Sequence, residues 1–252
     1  MAAPSFEELV AEGASVPVDG WDFSWFADRA SEERPAWGYA RLLSERMGRA
    51  TSALDLQTGG GEVLAGIARP PSRLAATESW PPNAALARRA LAPLGGVVHE
   101  VADDAPLPFA EGSFDLVTSR HPTVVVWPEV ARVLAPGGGY LSQEVGPFTA
   151  PELTRAILGD DVALHPRSPR AAAGAAERAG LEVTDLRTQT LRLEFRDVAA
   201  VVHYLRKVVW IVPGFTAERF APQLLAVHER IRAEGAFVAT TGRFLIEARR
   251  LG

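Results

Sequence analysis

Residues 53–68, "ALDLQTGGGEVLAGIA", decide how this chain is read. A short apolar run ends in an acid, Asp55, a glycine cluster follows, and an amphipathic segment begins at Glu62. That order specifies a strand, a tight loop and the start of a helix, in which backbone N–H groups cradle a nucleotide-like ligand. Gln57 stands where such loops often carry another glycine, so the first turn of the loop departs from the usual pattern.

Outward from the loop, apolar strands alternate with helical segments. "SALDL" is the first strand, "RLAATE" (73–78) the second, "GVVHEVA" (96–102) the third, "SFDLVTS" (113–119) the fourth and "GYLSQEVG" (139–146) the fifth. Between them "EVLAGIA" opens a helix, "NAALARRALAPLG" is another, and "PEVARVLAPGG" is a third, stopped by Pro136 and two glycines. Regular alternation of this kind predicts right-handed crossovers and a parallel sheet. After Pro151, "PELTRAILG" and "RAAAGAAERAG" read as helices and "LEVTDLRTQTLRLEF" (181–195) as a long strand. "DVAAVVHYLRKVVWIV" has apolar residues at 198, 201, 202, 205, 208, 209 and 212, a helix with one buried face. "APQLLAVHERIRAEG" forms another helix and "GRFLIEARR" the last strand.

The chain has 252 residues, 47% hydrophobic and 23% charged, an ordinary globular composition. It has no apolar run of the roughly 20 residues a membrane span needs, and the start "MAAPSFEELVAEG" lacks the pattern of a signal peptide, so a cytoplasmic location is expected. With no cysteine, disulfides and thiolate chemistry are excluded, and the five histidines, His99, His165 and His228 among them, form no metal-ligand spacing. The net charge of −5 weighs against a general nucleic-acid binder.

The loop itself excludes two familiar ligands. A nicotinamide fingerprint wants a third glycine where Leu64 stands, and no Lys-Ser/Thr pair follows to make a phosphate loop. An acid immediately before the glycines repels a pyrophosphate and suits a cation, such as the ammonium and sulfonium of S-adenosyl-L-methionine.

The segment from about 52 to 146 resembles the class I S-adenosylmethionine-dependent methyltransferases, especially the branch that includes the quinone-biosynthesis C-methyltransferases. "DLQTGGG" is similar to their acid-x-Gly-x-Gly-x-Gly motif at Asp55, Gly59 and Gly61, with Gln57 in the first glycine's place. "ATES" (76–79) resembles the second motif, "DDAPLPFAEGSFDLV" (103–117) the LPF and SFD run, and "EVARVLAPGGGYL" (129–141) the E-x-x-R-V-L-x-P-G-G segment. The resemblance implies that Glu78 grips the ribose hydroxyls, with Ser79 beside it, and that Asp103 accepts from the adenine amino group, with Asp104 adjacent. Asp55, Gln57, Gly59, Gly61 and Ser119 complete the expected cofactor set. At Gln57 the loop is expected to turn with ordinary backbone angles or to accept some strain, or the side-chain amide to reach the cofactor's amino-acid end; Gln57→Gly is expected to keep binding within about tenfold.

The same resemblance implies an α/β, Rossmann-like fold with a mostly parallel seven-stranded sheet whose last strand is antiparallel, plus helical lid segments. Residues 1–50 are expected as an N-terminal helical cap and 51–252 as the methyltransferase domain, with 196–235 a helical insertion over the active site. His121, in "SRHP" just past the fourth strand, is the candidate general base. Gln143 and Glu144 alternate across the sheet, so at most one faces the pocket. Trp80 could pack on the adenine face. His203, Tyr204, Trp210, Trp21, Trp25, Trp37 and Tyr39 are core anchors or an aromatic wall for an apolar acceptor.

The expected function is therefore methyl transfer to a small-molecule acceptor. Two alternatives stand beside it. An RNA methyltransferase acting on ribosomal bases has only the basic excess of the last third in its favour, with Lys207 the single lysine. A degenerate cofactor-binding module without catalysis is suggested by Gln57 and the lack of an obvious base.

Overall fold

The structure, a computed structural model, describes residues 4–18, 23–163 and 167–252. Its elements are α1 (Phe6–Ser15), β1 (Ala30–Glu32), α2 (Tyr39–Met47), β2 (Ser52–Leu56), α3 (Glu62–Ala65), β3 (Arg73–Glu78), α4 (Pro81–Leu91), β4 (Val97–Glu100) and β5 (Phe114–Arg120). They continue with α5 (Trp127–Val133), β6 (Leu134–Thr149), α6 (Pro151–Leu158), α7 (Pro169–Arg178), β7 (Leu181–Phe195), α8 (Val198–Lys207), α9 (Ala221–Glu234) and β8 (Phe237–Arg250).

The strands form one sheet in the order β1-β7-β8-β6-β5-β2-β3-β4. β6, β5, β2, β3 and β4 are mutually parallel, as the alternation with helices requires. β8 runs against β6: Arg250 donates to the Leu134 carbonyl at one end, and Ala150, just past the other end, donates to that of Thr240. This is the Rossmann-like methyltransferase arrangement, with eight strands where seven were expected. The extra one, β1, is three residues that pair antiparallel with β7, Ala30 opposite Phe195. "ASE" has neither length nor apolar alternation, so only the long partner strand reveals it.

Element boundaries also differ from the expectation: β4 is shorter, β6 spans Leu134–Thr149, β8 begins at Phe237, and three helices end early. α8 ends at Lys207 rather than running to Val212, although Val208, Ile211 and Val212 are still buried. The β-branched pair Val208–Val209 and Pro213 disfavour continued helix there. α3 is only one turn, ended at Gly66. α5 stops at Val133, because Leu134 already pairs with Phe114; the ladder then skips to Gly139 opposite Leu116, leaving "APGG" as a bulge with Gly137 at φ +77°.

The chain divides into two compact units. One comprises residues 35–147, 167–189 and 243–252 and has two cores. Trp37, Met47, Leu64, Leu91 and Leu141 lie in the first, and Leu54, Phe114, Trp127, Tyr140 and Phe244 in the second. The alternation of β2 assigns Ala53 to one core and Leu54 to the other, which is why the strand reads as continuously apolar.

The other unit comprises residues 1–34, 148–166 and 190–242, and its core centres on α8, whose residues Val198–Leu205 are all buried. Asp197 caps that helix, accepting from the N–H of Ala200, and Arg29 links Asp197 to Glu12 of α1. α1 opens with a capping box between Ser5 and Glu8 and crosses α8 at Gly13. A Cβ at Gly13 would lie 2.3 Å from the Ala199 carbonyl oxygen, so the two helices approach as closely as glycine allows.

Gly13→Ala is therefore expected to destabilise the protein by about 1–3 kcal/mol, measured by thermal or urea unfolding. Gly174→Ala, in α7, is the control: its Cβ would meet only the flexible end of Arg178, and the change should add roughly 0.5–1 kcal/mol. A Gly13→Ala protein as stable as the parent would contradict the close crossing.

Candidate functional site

The C-terminal ends of the parallel strands bring together the acids singled out in the sequence. β2 lies between β3 and β5, and Asp55, 8% exposed, stands beside Thr118 across the ladder. Thr118 Oγ1 donates to Asp55 Oδ1 at 2.6 Å. Burial lifts the Asp55 carboxyl to about 6, while the hydrogen bond from Thr118 and the nearby Arg120 guanidinium pull it back. Thr118 was not anticipated, although period-2 alternation sets it on the face of Leu116.

The glycine loop turns through three residues of positive φ: Gln57 (+53°), Gly59 (+65°) and Gly61 (+82°). Gln57 thus takes the strained route, a left-handed conformation that costs a non-glycine residue roughly 1–2 kcal/mol. Gly61 has a second requirement, because its Cβ would approach Ala87 Cα of α4 to 3.3 Å. The Thr58 N–H donates to the Thr77 carbonyl and the Gly59 N–H to Glu78 Oε2 at 2.8 Å. Glu78 Oε1 accepts from the N–H of Trp80 at 3.0 Å. Burial raises the Glu78 carboxyl, the two N–H groups lower it, and Asp103 raises it further. Ser79, beside it, is exposed, and Trp80 is 41% exposed at the start of α4.

Asp103 lies in the loop after β4, and its Oδ2 accepts from the hydroxyl of Thr123. That hydroxyl also lies 3.1 Å from Gln57 Oε1. Gln57 Oε1 accepts from the Thr123 N–H at 2.6 Å, and its Nε2 donates to the Val124 carbonyl at 2.7 Å. Both ends of the Gln57 amide are thus engaged on the segment after β5. Asp104 is exposed. Leu56, Thr77, Ala102, Asp103, Leu107 and Val124 line a cleft here, apolar on most of its wall.

The motifs that flank Asp103 hold one another in place. Glu129 accepts from the Leu107 N–H at 2.6 Å, and Arg132 donates to the carbonyls of Phe109 and Leu107 while pairing with Glu129. The "LPF" loop is thereby fastened to α5. Asp115 of "SFD" accepts from the Thr51 and Ser52 N–H groups, each at 2.9 Å, fixing the start of β2. Glu129, Arg132 and Asp115 thus hold the loop and the strand start in place.

His121 follows β5 at φ +56°, its N–H donating to the Gln143 carbonyl at 2.7 Å. Its Nε2 lies 3.1 Å from Gln143 Nε2, whose Oε1 accepts from the Trp37 indole at 2.8 Å. Indole N–H only donates, so Gln143 must present its NH2 to His121, and His121 carries its proton on Nδ1. Burial, then Arg120, Arg243 and Arg167, hold the imidazole well below its usual range and keep it neutral. On the other face of β6, Glu144 is 5% exposed, and its Oε1 has no hydrogen-bond partner among the described residues. Ser119 is fully buried, and its carbonyl accepts from the Tyr39 hydroxyl at 2.8 Å.

The remaining candidates lie elsewhere. His203 and Tyr204 belong to the core of the helical unit, where His203 stacks on Phe26 and meets the edge of Trp25. Trp37 and Tyr39 are core residues with polar ends engaged, and Trp210 is exposed. His99 packs against Phe109 and His228 against Phe6. Trp21 and His165 lie outside the described residues.

Residues 54–141, from the end of β2 to the middle of β6, match the family model described as "Methyltransferase domain". This segment of the chain is a methyltransferase domain, and it sits on the Rossmann-like methyltransferase fold. The family implies S-adenosylmethionine as methyl donor. No curated protein matches it by sequence. Among solved structures, the YcgJ protein of Bacillus subtilis shares 16% identity at a TM-score of 0.60, covering 85% of this chain and 98% of its own. The [4+2]-cyclase SpnF shares 16% at 0.54, covering 100% and 99%. The geranyl diphosphate C-methyltransferase of Streptomyces coelicolor, solved with S-adenosyl-L-homocysteine, shares 16% at 0.52, covering 84% and 75%. At these identities the likeness is one of fold. No helix among the described residues of this methyltransferase is long and apolar enough to cross a membrane.

Glu144 gives a direct test of the buried end of β6. Burial raises its carboxyl to about 7, so the folded state holds a proton that the unfolded chain, with the ordinary value of 4.5, has released. Its destabilising effect is then full above pH 7 and fades as pH falls toward 5. Glu144→Gln is expected to raise stability at pH 8 by up to roughly 3 kcal/mol, with the gain shrinking toward pH 5. A pH-independent difference in unfolding free energy would contradict the raised carboxyl.

Proposed function

We propose that this methyltransferase holds S-adenosylmethionine over the β2–α3 loop and transfers its methyl group to a small-molecule acceptor. The observation that carries the reading is the convergence of three carboxylates, Asp55, Glu78 and Asp103, at the strand ends around a positive-φ glycine turn. A set of acceptors of this kind suits a ligand made of donors and positive charge, and S-adenosylmethionine offers an ammonium, two ribose hydroxyls and an adenine amino group. The group supplies, when bound, a methyl on a sulfonium that a nucleophile displaces in line.

In this reading Asp55 faces the cationic amino-acid end, where a buried carboxylate interacts strongly with positive charge. Glu78 holds the turn with one lone pair of each oxygen and has the others for the ribose hydroxyls. Asp103 takes the adenine amino group, and the apolar cleft wall takes the ring. Gln57, Gly59 and Gly61 shape the loop, and Ser79, Asp104 and Ser119 complete its surroundings. His121, neutral with Nδ1 protonated, offers a donor to the acceptor; it takes up a proton as a base only when Gln143 releases Nε2. Much of the acceleration comes from holding the nucleophile near the methyl group. The helical segments at 1–50 and 196–235 are assigned to acceptor selection, and a small-molecule acceptor is favoured because the net charge of −5 weighs against a nucleic-acid partner.

Calorimetry with S-adenosylhomocysteine should show binding that weakens as pH falls through about 6, where Asp55 takes up its proton. Asp55→Asn should bind about tenfold or more weakly and flatten that pH dependence. No binding at millimolar ligand would sink the reading. Binding without transfer of labelled methyl into any component of a small-molecule extract would favour a cofactor-binding module instead.

A further inference from the structure

We propose that Thr123, braced by Gln57, is the positioning residue that fixes Asp103 for the adenine amino group; this rests on the methyl-donor reading above. Asp103 sits half-exposed in a loop, within the field of Glu78, and like charges of this kind push a mobile carboxylate away. Among the described residues its single hydrogen bond comes from the Thr123 hydroxyl, on Oδ2, and Oδ1 has none. One oxygen is anchored and the other is left for a ligand.

The Thr123 hydroxyl has one proton and two acceptors in reach, Asp103 Oδ2 and, at 3.1 Å, Gln57 Oε1. Gln57 Oε1 already accepts the Thr123 N–H at 2.6 Å, and a charged acceptor makes the stronger bond, so the proton goes to Asp103. Thr123 is itself held from two sides. Gln57 grips its N–H and the Val124 carbonyl, and Arg167 donates to the carbonyls of Pro122 at 2.7 Å and Thr123 at 3.0 Å. The left-handed turn at Gln57, which glycine would make without strain, is thus offset by two hydrogen bonds that glycine could not form. Gln57 in place of the first glycine makes the loop and the adenine-binding acid one connected unit.

The test uses the full chain and two ligands, S-adenosylhomocysteine and its analogue lacking the 6-amino group. Thr123→Val should bind S-adenosylhomocysteine about five- to tenfold more weakly, while Thr123→Ser stays within about twofold. Against the desamino analogue, parent and Thr123→Val should bind equally, because the group Asp103 serves is gone. Gln57→Gly should reproduce part of the loss, and adding it to Thr123→Val should cost little more. Equal loss on both ligands would show that Thr123 acts only by packing the loop, and unchanged or tighter binding by Thr123→Val would show that it does not serve Asp103; either overturns the proposal. A parent chain that binds neither ligand overturns the methyl-donor reading and this inference with it. Parent binding with a wrong variant pattern overturns the inference alone.

Discussion

The Glu78 carboxylate ties the tip of β3 to the turn after β2, and the rest of the site depends on that tie. One oxygen takes the Gly59 N–H and the other the Trp80 N–H. A charged acceptor buried with two backbone donors is far stronger than the same contacts in water. It fixes the glycine turn at its second residue and the entrance of α4 at its first. Gly61, left-handed at φ +82°, then lies close against α4, so loop, strand tip and helix are set together.

From that tie the other parts follow by short links. Gln57, immediately before the fixed turn, reaches the segment after β5 with its amide, and Thr123 in that segment reaches Asp103. Asp103's loop is in turn fastened to α5 through Leu107, Glu129 and Arg132. The four motifs recognised along the sequence are therefore neighbours in one hydrogen-bond network. Asp55 stands at the centre as a buried carboxylate whose charge burial disfavours, raising it to about 6, and which a cationic partner would stabilise. Two of the residues whose backbone is left-handed are held by neighbouring bonds, Gln57 through Thr123 and Val124 and His121 through Gln143.

The strand pattern was legible in the sequence along the buried β2 and β3 and along the half-exposed β7. β2, β3 and β7 begin and end where apolar runs and turn residues place them, and β5 is displaced by one residue. Asp55 and the glycines were equally visible, because strand-loop-helix order is a local signal. What the sequence hid depends on partners far along the chain. β1 exists only as an edge on β7, the bulge in β6 only because Leu134 pairs with Phe114, and Thr118 and Thr123 are ordinary threonines until the fold sets them beside Asp55 and Asp103. The neutrality of His121 could not be read from "SRHP" alone, since beyond its neighbour Arg120 it arises from burial and from Arg243 and Arg167, contributed by other segments. For Gln57 the departure was visible but not its use: the side chain turns toward Thr123 and Val124.

The central claim is that the acids at the strand ends form one methyl-donor site, and a crystal structure of the chain with S-adenosylhomocysteine tests it most directly. The account predicts the ribose hydroxyls on Glu78, the adenine in the cleft beside Asp103 with its amino group on that carboxylate, and the amino-acid end toward Asp55. A nucleoside bound elsewhere, or bound here with Glu78 and Asp103 out of hydrogen-bond reach, would contradict it.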